Sequence, residues 1–237
     1  MISLLFSQFG GSGNTSSATL KFYPQPLNRK AAMQDHRPER FCHDNFLSHM
    51  TLQTIDRSRR QFFGLIQNIG FIPSAVRFEQ SENASFNKNQ TNFDIIRCIL
   101  VASFSPNVVC LPLEKRGPSG SGSVFSRVGD LDFLSSKGSA HVHPSSSLFS
   151  SSRLESPYGV FCEAVLTKRV YLRDLNTVTP LMLLLFCSSL KVWESSTLMV
   201  ADGWLAFKSD SKSINTIVSI RGMFDVRLIL CIMVHTN

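Results

Sequence analysis

The 237-residue sequence predicts an α+β fold: a helical segment, then a small closed or partly open β-barrel, then a closing C-terminal helix. Three observations carry this. Apolar residues recur mostly at three- and four-residue steps between Phe46 and Ile69. From Asn107 onward, short β-branched runs alternate with Gly-, Ser- and Pro-rich joints. Between Ile214 and Met233 the apolar steps become helical again. With 43% hydrophobic residues there is enough apolar material for a packed core, which excludes wholesale disorder.

Residues 1–38 keep no steady period, and Pro24, Pro26 and Pro38 break any helix, so they read as an irregular extension. Residues 39–90 form a helical segment and a polar loop. The helix is built on Phe46, Leu47, Met50, Ile55, Phe62, Leu65, Ile66 and Ile69. Asn45 or Ser48 caps its start, and Gly70 with Pro73 marks its stop. Its other face carries Arg57, Arg59 and Arg60, which serve either as a solvated surface or as phosphate contacts. The Asn-rich run 73–92 reads as loop.

Residues 91–212 make the barrel domain, with a Ser/Gly-rich insertion at about 117–152. Asp94–Phe104 is a short helix burying Ile95, Ile96, Ile99 and Leu100. Asn107–Leu111 is a first strand between prolines. The insertion holds thirteen of the 34 serines and reads mostly as loop, with Ser123–Val128 and Ala140–His143 as candidate strands. Tyr158–Leu166 and Arg169–Asp174 form a hairpin around Thr167-Lys168. Val178–Phe186 reads as an apolar, central strand. Leu198–Val200 and Trp204–Phe207 flank a tight Asp202-Gly203 turn, with Trp204 as interior filler and Phe207 on the opposite face. Residues 213–237 are the closing helix, weakened by Gly222. An oligonucleotide-binding (OB) barrel is one fold of this kind.

The net charge is +7 and the pI about 9.3, which suits a polyanionic partner without requiring one. No G-x-x-x-x-G-K-[ST] loop is present, so the sequence lacks the phosphate cradle of an ATPase. The six cysteines have no zinc or C-x-x-C spacing and read as buried free thiols of a reducing compartment. No run of eighteen apolar residues exists, so no membrane span is expected. His141 and His143 share a strand face, but no third metal ligand stands at a convincing spacing. No G-x-S-x-G elbow or carboxylate pair argues for catalysis. The stronger polar cluster is Thr167-Lys168-Arg169 with Tyr171 and Arg173. Two-residue alternation puts Arg169, Tyr171 and Arg173 on one face and Val170 and Leu172 on the other. Cations beside an aromatic suit a phosphate backbone and a stacked base, and they also suit an ordinary wet barrel surface with Tyr171 packed inward.

Several of these segments resemble, in order, the C-terminal part of DExH-box RNA helicases of the DEAH/RNA helicase A type. Arg40-Phe41-Cys42-His43-Asp44-Asn45-Phe46-Leu47-Ser48 is similar to that family's "Y/F-C-x-x-N-F-L-S" helix. Ser105-Pro106-Asn107-Val108-Val109 resembles its "Y-P-N-V-V" entry to an OB fold, and Val142-His143-Pro144-Ser145-Ser146 its "V-H-P-S-S" element. Thr167 to Asp174 resembles its "T-S-R-V-Y-L-R-D" hairpin, and Asp202-Gly203-Trp204-Leu205-Ala206-Phe207 completes the order. The texture is closest to the DHX57-like branch, over roughly residues 39–230. Lys168 stands where the family carries a small hydroxyl residue, and Cys187-Ser188 where it carries glycines. The two motor domains, with their Walker loop and DEAH box, have no counterpart here.

The resemblance implies a fragment: the RNA-binding accessory end of an ATP-dependent helicase without its own ATPase core. It implies single-stranded RNA as partner, together with the helicase core where the parent protein has one, and no membrane. The RNA-binding residues would be Lys168, Arg169, Tyr171, Arg173, His143 and Ser145. No catalytic residue, metal or cofactor is expected in this chain; ATP and magnesium belong to the full-length family. The expected location is intracellular, cytoplasmic or nuclear. The alternative is a non-catalytic protein-interaction or structural remnant.

Overall fold

The computed structural model describes residues 38–44, 46–116, 123–125, 127–193 and 197–235. The expected extension at 1–38 therefore lies almost wholly outside the described residues, as does the alternative cap Asn45. Residues 38–91 fall in one compact unit and residues 92–228 in a second.

In the first unit, α1 spans Pro38–Asp44 and α2 spans His49–Asn68. Ser48 is the cap of α2: its hydroxyl accepts the Thr51 N–H at 3.3 Å, satisfying one of the orphan donors of the first turn. The chain between the helices turns at Phe46, whose φ is 55° and whose side chain is 99% exposed. The predicted apolar stripe is only partly used. Ile55 and Phe62 are half-buried, while Met50, Leu65, Ile66 and Ile69 are exposed. The basic face is partly engaged, because Arg60 bonds Asp56 at 2.9 Å and Glu79 at 2.8 Å and lies over the Phe78 ring. The predicted loop that follows contains two 3-10 turns, Phe78–Asn83 and Ser85–Asn87.

The second unit begins with α3, Phe93–Phe104, capped by the Asn92 side chain on the Ile95 N–H. Its buried positions are Leu100 and Val101. Ile95 and Ile99, expected inside, are 39% and 47% exposed, so the buried stripe is rotated toward the end of the helix. The strands are β1 Val108–Cys110, β2 Ser123–Val124, β3 Asp132–Ser135, β4 Gly138–Val142, β5 Arg153–Leu154, β6 Tyr158–Val160, β7 Glu163–Leu166, β8 Val170–Arg173 and β9 Asn176–Val178. Seven of them make one curled sheet in the order β7-β8-β4-β3-β1-β6-β9, a half-barrel. All pairs in it are antiparallel except β4–β8. Its concave side is filled by Val109, Phe133, Val142, Leu172, Leu175 and their neighbours. The Ser/Gly-rich run is thus more than loop, since its β3–β4 hairpin sits in the middle of the sheet. In β6, a Cβ at Gly159 would meet Leu175 Cδ1 at 2.7 Å and the Asn176 carbonyl at 3.1 Å, so the close approach of β9 needs glycine there.

Val178–Phe186 is not one central strand. The chain leaves β9 and forms helix α4, Pro180–Phe186, whose Thr179 cap accepts the Met182 N–H at 3.3 Å. Pro180 occupies the first helical position, where its missing N–H costs nothing. A second sheet follows, β10 Leu190–Trp193, β11 Leu198–Ala201 and β12 Leu205–Lys208, in that order and antiparallel. Asp202 (φ 50°) and Gly203 (φ 80°) turn the chain between β11 and β12 in a left-handed region open to Asp and Gly. Helix α5, Ser211–His235, packs Ile214 and Ile217 against Leu184 and Met199. Arg221 of α5 donates to the Leu184 carbonyl at 3.1 Å and the Cys187 carbonyl at 2.9 Å, placing a cation at the C-terminus of α4.

Trp204 is not the interior filler. It lies in the turn, half-buried, with its Nε1–H shut from solvent and without a partner among the described residues. Leu205, 6% exposed, takes the buried position. The result is an α+β architecture with an OB-like half-barrel and a C-terminal helix.

Candidate nucleic-acid interface

The half-barrel has a convex face opposite its core, and pairing decides what stands there. Leu172 of β8 is fully buried and Val170 packs on the core, so Tyr171 and Arg173 turn outward. The parallel register sets His141 of β4 beside Tyr171, and the antiparallel register sets Glu163 of β7 beside Arg173 and Val165 beside Tyr171. The ring centroids of His141 and His143 each lie 6.0 Å from that of Tyr171, the second edge-on. Three aromatic rings therefore share one patch, at separations within the range of ring–ring contact.

The sequence singled out His143, Ser145, Tyr171 and Arg173 for this surface, and the structure brings the first three into one patch with Arg173 next to it. Ser145 fixes the His143 ring. Its N–H donates to Nδ1 at 3.1 Å, and its hydroxyl lies 2.7 Å from the same nitrogen. The N–H donation makes Nδ1 the acceptor, which leaves Nε2 to carry the proton of the neutral ring. Lys168 and Arg169 lie in the three-residue loop between β7 and β8, closed by the Thr167 N–H on the Arg169 carbonyl at 3.0 Å. Both side chains are exposed, and neither has a charged partner among the described residues.

The electrostatics are mixed. Arg173 Nη1 lies 3.4 Å from Glu163 Oε2, and its Nε is shut from solvent without an acceptor among the described residues. His141 Nδ1 lies 3.1 Å from Asp132 Oδ1, and Lys115 Nζ lies 3.5 Å from the other oxygen of that carboxylate. Asp174 follows Arg173 with φ 54°. Burial, with Glu163 nearby, holds its carboxyl above the usual range, opposed by Arg173 and His143. Positive charge is thus least compensated at the hairpin tip, Lys168 and Arg169. Sequence reasoning treated His141 only as half of a metal pair and missed Asp132 and Glu163. The two-residue alternation that placed Tyr171 also places these three. Among the described residues no cluster of His, Cys, Asp and Glu could hold a metal ion, and no helix is long and apolar enough to cross a membrane. Cys42, Cys98, Cys110, Cys162 and Cys187 are free, and burial pushes the thiols of all but Cys162 upward.

Residues 96–190 match a family model described as the oligonucleotide/oligosaccharide-binding (OB) fold. The chain is 28% identical over 219 residues to the DExH-box ATP-dependent RNA helicase DExH1 of Arabidopsis thaliana, covering 91% of this chain and 20% of that protein. It is homologous, over most of its length, to DExH/DEAH-box RNA helicases. To the putative ATP-dependent RNA helicase DHX57 of Mus musculus it is 30% identical over 214 residues, 75% of this chain and 14% of that one. To the ATP-dependent RNA helicase DHX29 of Homo sapiens it is 28% identical over 199 residues, 81% of this chain and 14% of that one. The chain spans a fifth or less of the length of these relatives, consistent with a C-terminal helicase region. The matched OB-fold segment contains β1 to β9, and so the whole aromatic patch.

Proposed function

We propose that this chain is the RNA-binding accessory part of a DExH-box RNA helicase and does not itself hydrolyse ATP. The observation that carries the reading is the convex patch. Tyr171 is flanked by His141 and His143, with Arg173 on the same strand and Arg169 and Lys168 at the hairpin tip. Stacking rings beside cations are what a sequence-tolerant single-strand site uses: the π-face takes the base and the cations take phosphates. Single-stranded RNA is the partner, with Ser145 holding the His143 ring for it. The helicase core of the parent protein is the neighbour that would supply ATP turnover. ATP and magnesium would belong to that core, since this sequence carries no Walker loop to cradle the phosphates. An intracellular location, cytoplasm or nucleus, agrees with the free cysteines and with the RNA helicase relatives.

The test is a salt titration of single-stranded RNA binding by the whole chain and by a folded Arg169→Ala/Arg173→Ala variant. Removing two phosphate-binding cations should lower the salt slope by about 1.4. Replacing Tyr171 by Leu should cost about 1–3 kcal/mol if a base stacks on it. Affinity and slope unchanged in both variants would move the contact surface elsewhere. RNA-stimulated ATP turnover above that of a mock preparation would overturn the non-catalytic part.

A further inference from the structure

We infer that strand β7 is a self-association edge: two copies of this chain pair their β7 strands antiparallel across a two-fold axis at Val165, joining two half-barrel sheets into one. β7 is an outermost strand of the seven-stranded sheet, and β8 is its one neighbour there. The Thr167 N–H donates to the Arg169 carbonyl at 3.0 Å, which makes these two a bonded pair at the hairpin end. Bonded and non-bonded pairs alternate along an antiparallel ladder, so the next bonded position is Val165 with Tyr171. The N–H and C=O groups of Ala164 and Leu166, between and beside these, point away from β8. No described residue outside the strand bonds to them.

This edge is open. Ala164 is exposed and Leu166 is 77% exposed, although both are apolar. Sheet edges are protected by lysine, proline or a covering element, and Glu163–Leu166 contains neither lysine nor proline. The opposite edge of the same sheet, β9, lies against α3. The edge strands β10 and β12 carry Lys191 and Lys208.

Self-complementarity selects a second copy as the occupant. In the register centred on Val165, every free backbone group of Ala164 and Leu166 meets a free group of the other copy, which gives four bonds. On one face, each exposed leucine then covers the other copy's alanine. On the other face, Val165 meets Val165 as a non-bonded pair, the closer kind. Glu163 faces the other copy's Thr167, one residue from the exposed Lys168. Arg173 engages one oxygen of Glu163, at 3.4 Å, and leaves the second for that lysine. The paired edge is four residues long. It falls well short of the roughly 1,200 Å² that stable complexes bury, so the dimer is weak and forms in the range of hundreds of micromolar.

Sedimentation equilibrium of the whole chain, from about 10 μM to about 1 mM, measures the association. Amide exchange read by NMR locates it. The expected result is a monomer–dimer equilibrium in which the Ala164 and Leu166 amides slow as concentration rises. Ala164→Pro removes two of the four bonds and leaves the β8 ladder intact, so it should weaken the dimer at least about fivefold. Glu163→Lys should weaken it about two- to thirtyfold, because the axis repeats each contact. Adding Lys168→Glu to Glu163→Lys should restore the association. Thermal unfolding of dilute protein checks that each variant folds. A chain that stays monomeric at the highest concentration would overturn the inference and leave the edge to a different extended segment. A dimer that ignores the edge variants, or whose Ala164 and Leu166 amides stay fast, would overturn it and move the contact to another surface. A double variant no tighter than Glu163→Lys alone would overturn the register.

Discussion

Replacing Asp202 by Asn, Gly and Ala separates two costs that meet at one residue. Its carboxylate accepts the Ser105 hydroxyl at 2.5 Å, the Ser188 hydroxyl at 2.8 Å and the Ser189 N–H at 3.1 Å. Ser105 Oγ in turn accepts the Ser188 N–H at 2.7 Å. The set ties the ends of α3 and α4 to the β11–β12 turn. Hydrogen bonds to a charged group contribute about 1.5–3 kcal/mol each, but this carboxylate is half-exposed and its bonds share atoms, so losing the set should cost about 2–4 kcal/mol. The second cost is backbone: at φ 50°, alanine is strained by about 1–2 kcal/mol, while Asn and Gly are not. The Asn variant keeps an acceptor and should lose least, Gly should lose the network alone, and Ala should lose both. The Ala total, about 3–6 kcal/mol, is a large part of the 5–15 kcal/mol that holds a domain together. Urea unfolding of the whole chain measures the series. A Gly variant as stable as the parent would show that the network contributes nothing. Ala and Gly variants of equal stability would refute the backbone argument.

Asp174→Asn tests the half-buried carboxyl beside the aromatic patch. Its folded pKa is raised, so between the unfolded value and the folded one the native state holds more protons, and stability falls as pH rises through that window. Unfolding at pH 4 and pH 7 should therefore show the Asn variant gaining on the parent at the higher pH; an equal difference at both would refute it. Gly159→Ala should lower stability by about 1–3 kcal/mol in thermal unfolding, because the new methyl meets Leu175 and the Asn176 carbonyl. Leu205→Ala should cost about 2–5 kcal/mol and more than Trp204→Phe, which keeps most of a half-buried ring; the reverse order would return Trp204 to the core.

The parts legible in the sequence were those with a strong local signal. Ser48, Gly70 and Asp202-Gly203 each carry turn or cap chemistry, and the elements they bound lie within a residue of where they were expected. The alternation that put Tyr171 and Arg173 opposite Val170 and Leu172 holds in β8, but Arg169, expected on the same strand face, lies in the loop before it, because the strand starts only at Val170. The misreading of Val178–Phe186 has a physical source: Leu181-Met182-Leu183-Leu184-Leu185-Phe186 is apolar throughout, so it has no period to distinguish helix from strand. The signal that decides was present in Thr179-Pro180, a cap followed by proline at the first helical position. Strand β3 was hidden because Ser135 and Ser136 end it in serine-rich surroundings. Strand β10 was missed because Lys191 and Trp193, which give it an outward face, interrupt its apolar side. Ile95 and Ile99 were placed inside because helical spacing names a stripe without naming which part of it meets the core.

The parallel pairing of β4 with β8 joins residues far apart in the chain, and the three rings of the convex patch meet only across it. The His143 N–H donates to the Leu172 carbonyl at 2.9 Å at the end of this seam. Anything that bridges the two strands must close the seam before it can bind, so binding energy returns as protection of that amide. Ligand at a hundred times its dissociation constant adds about 2.7 kcal/mol to the closed form, roughly a hundredfold slower exchange where opening of the seam is the route to solvent. The deuterium uptake of one backbone amide, in the unaltered chain, then counts how often the two halves of the patch part.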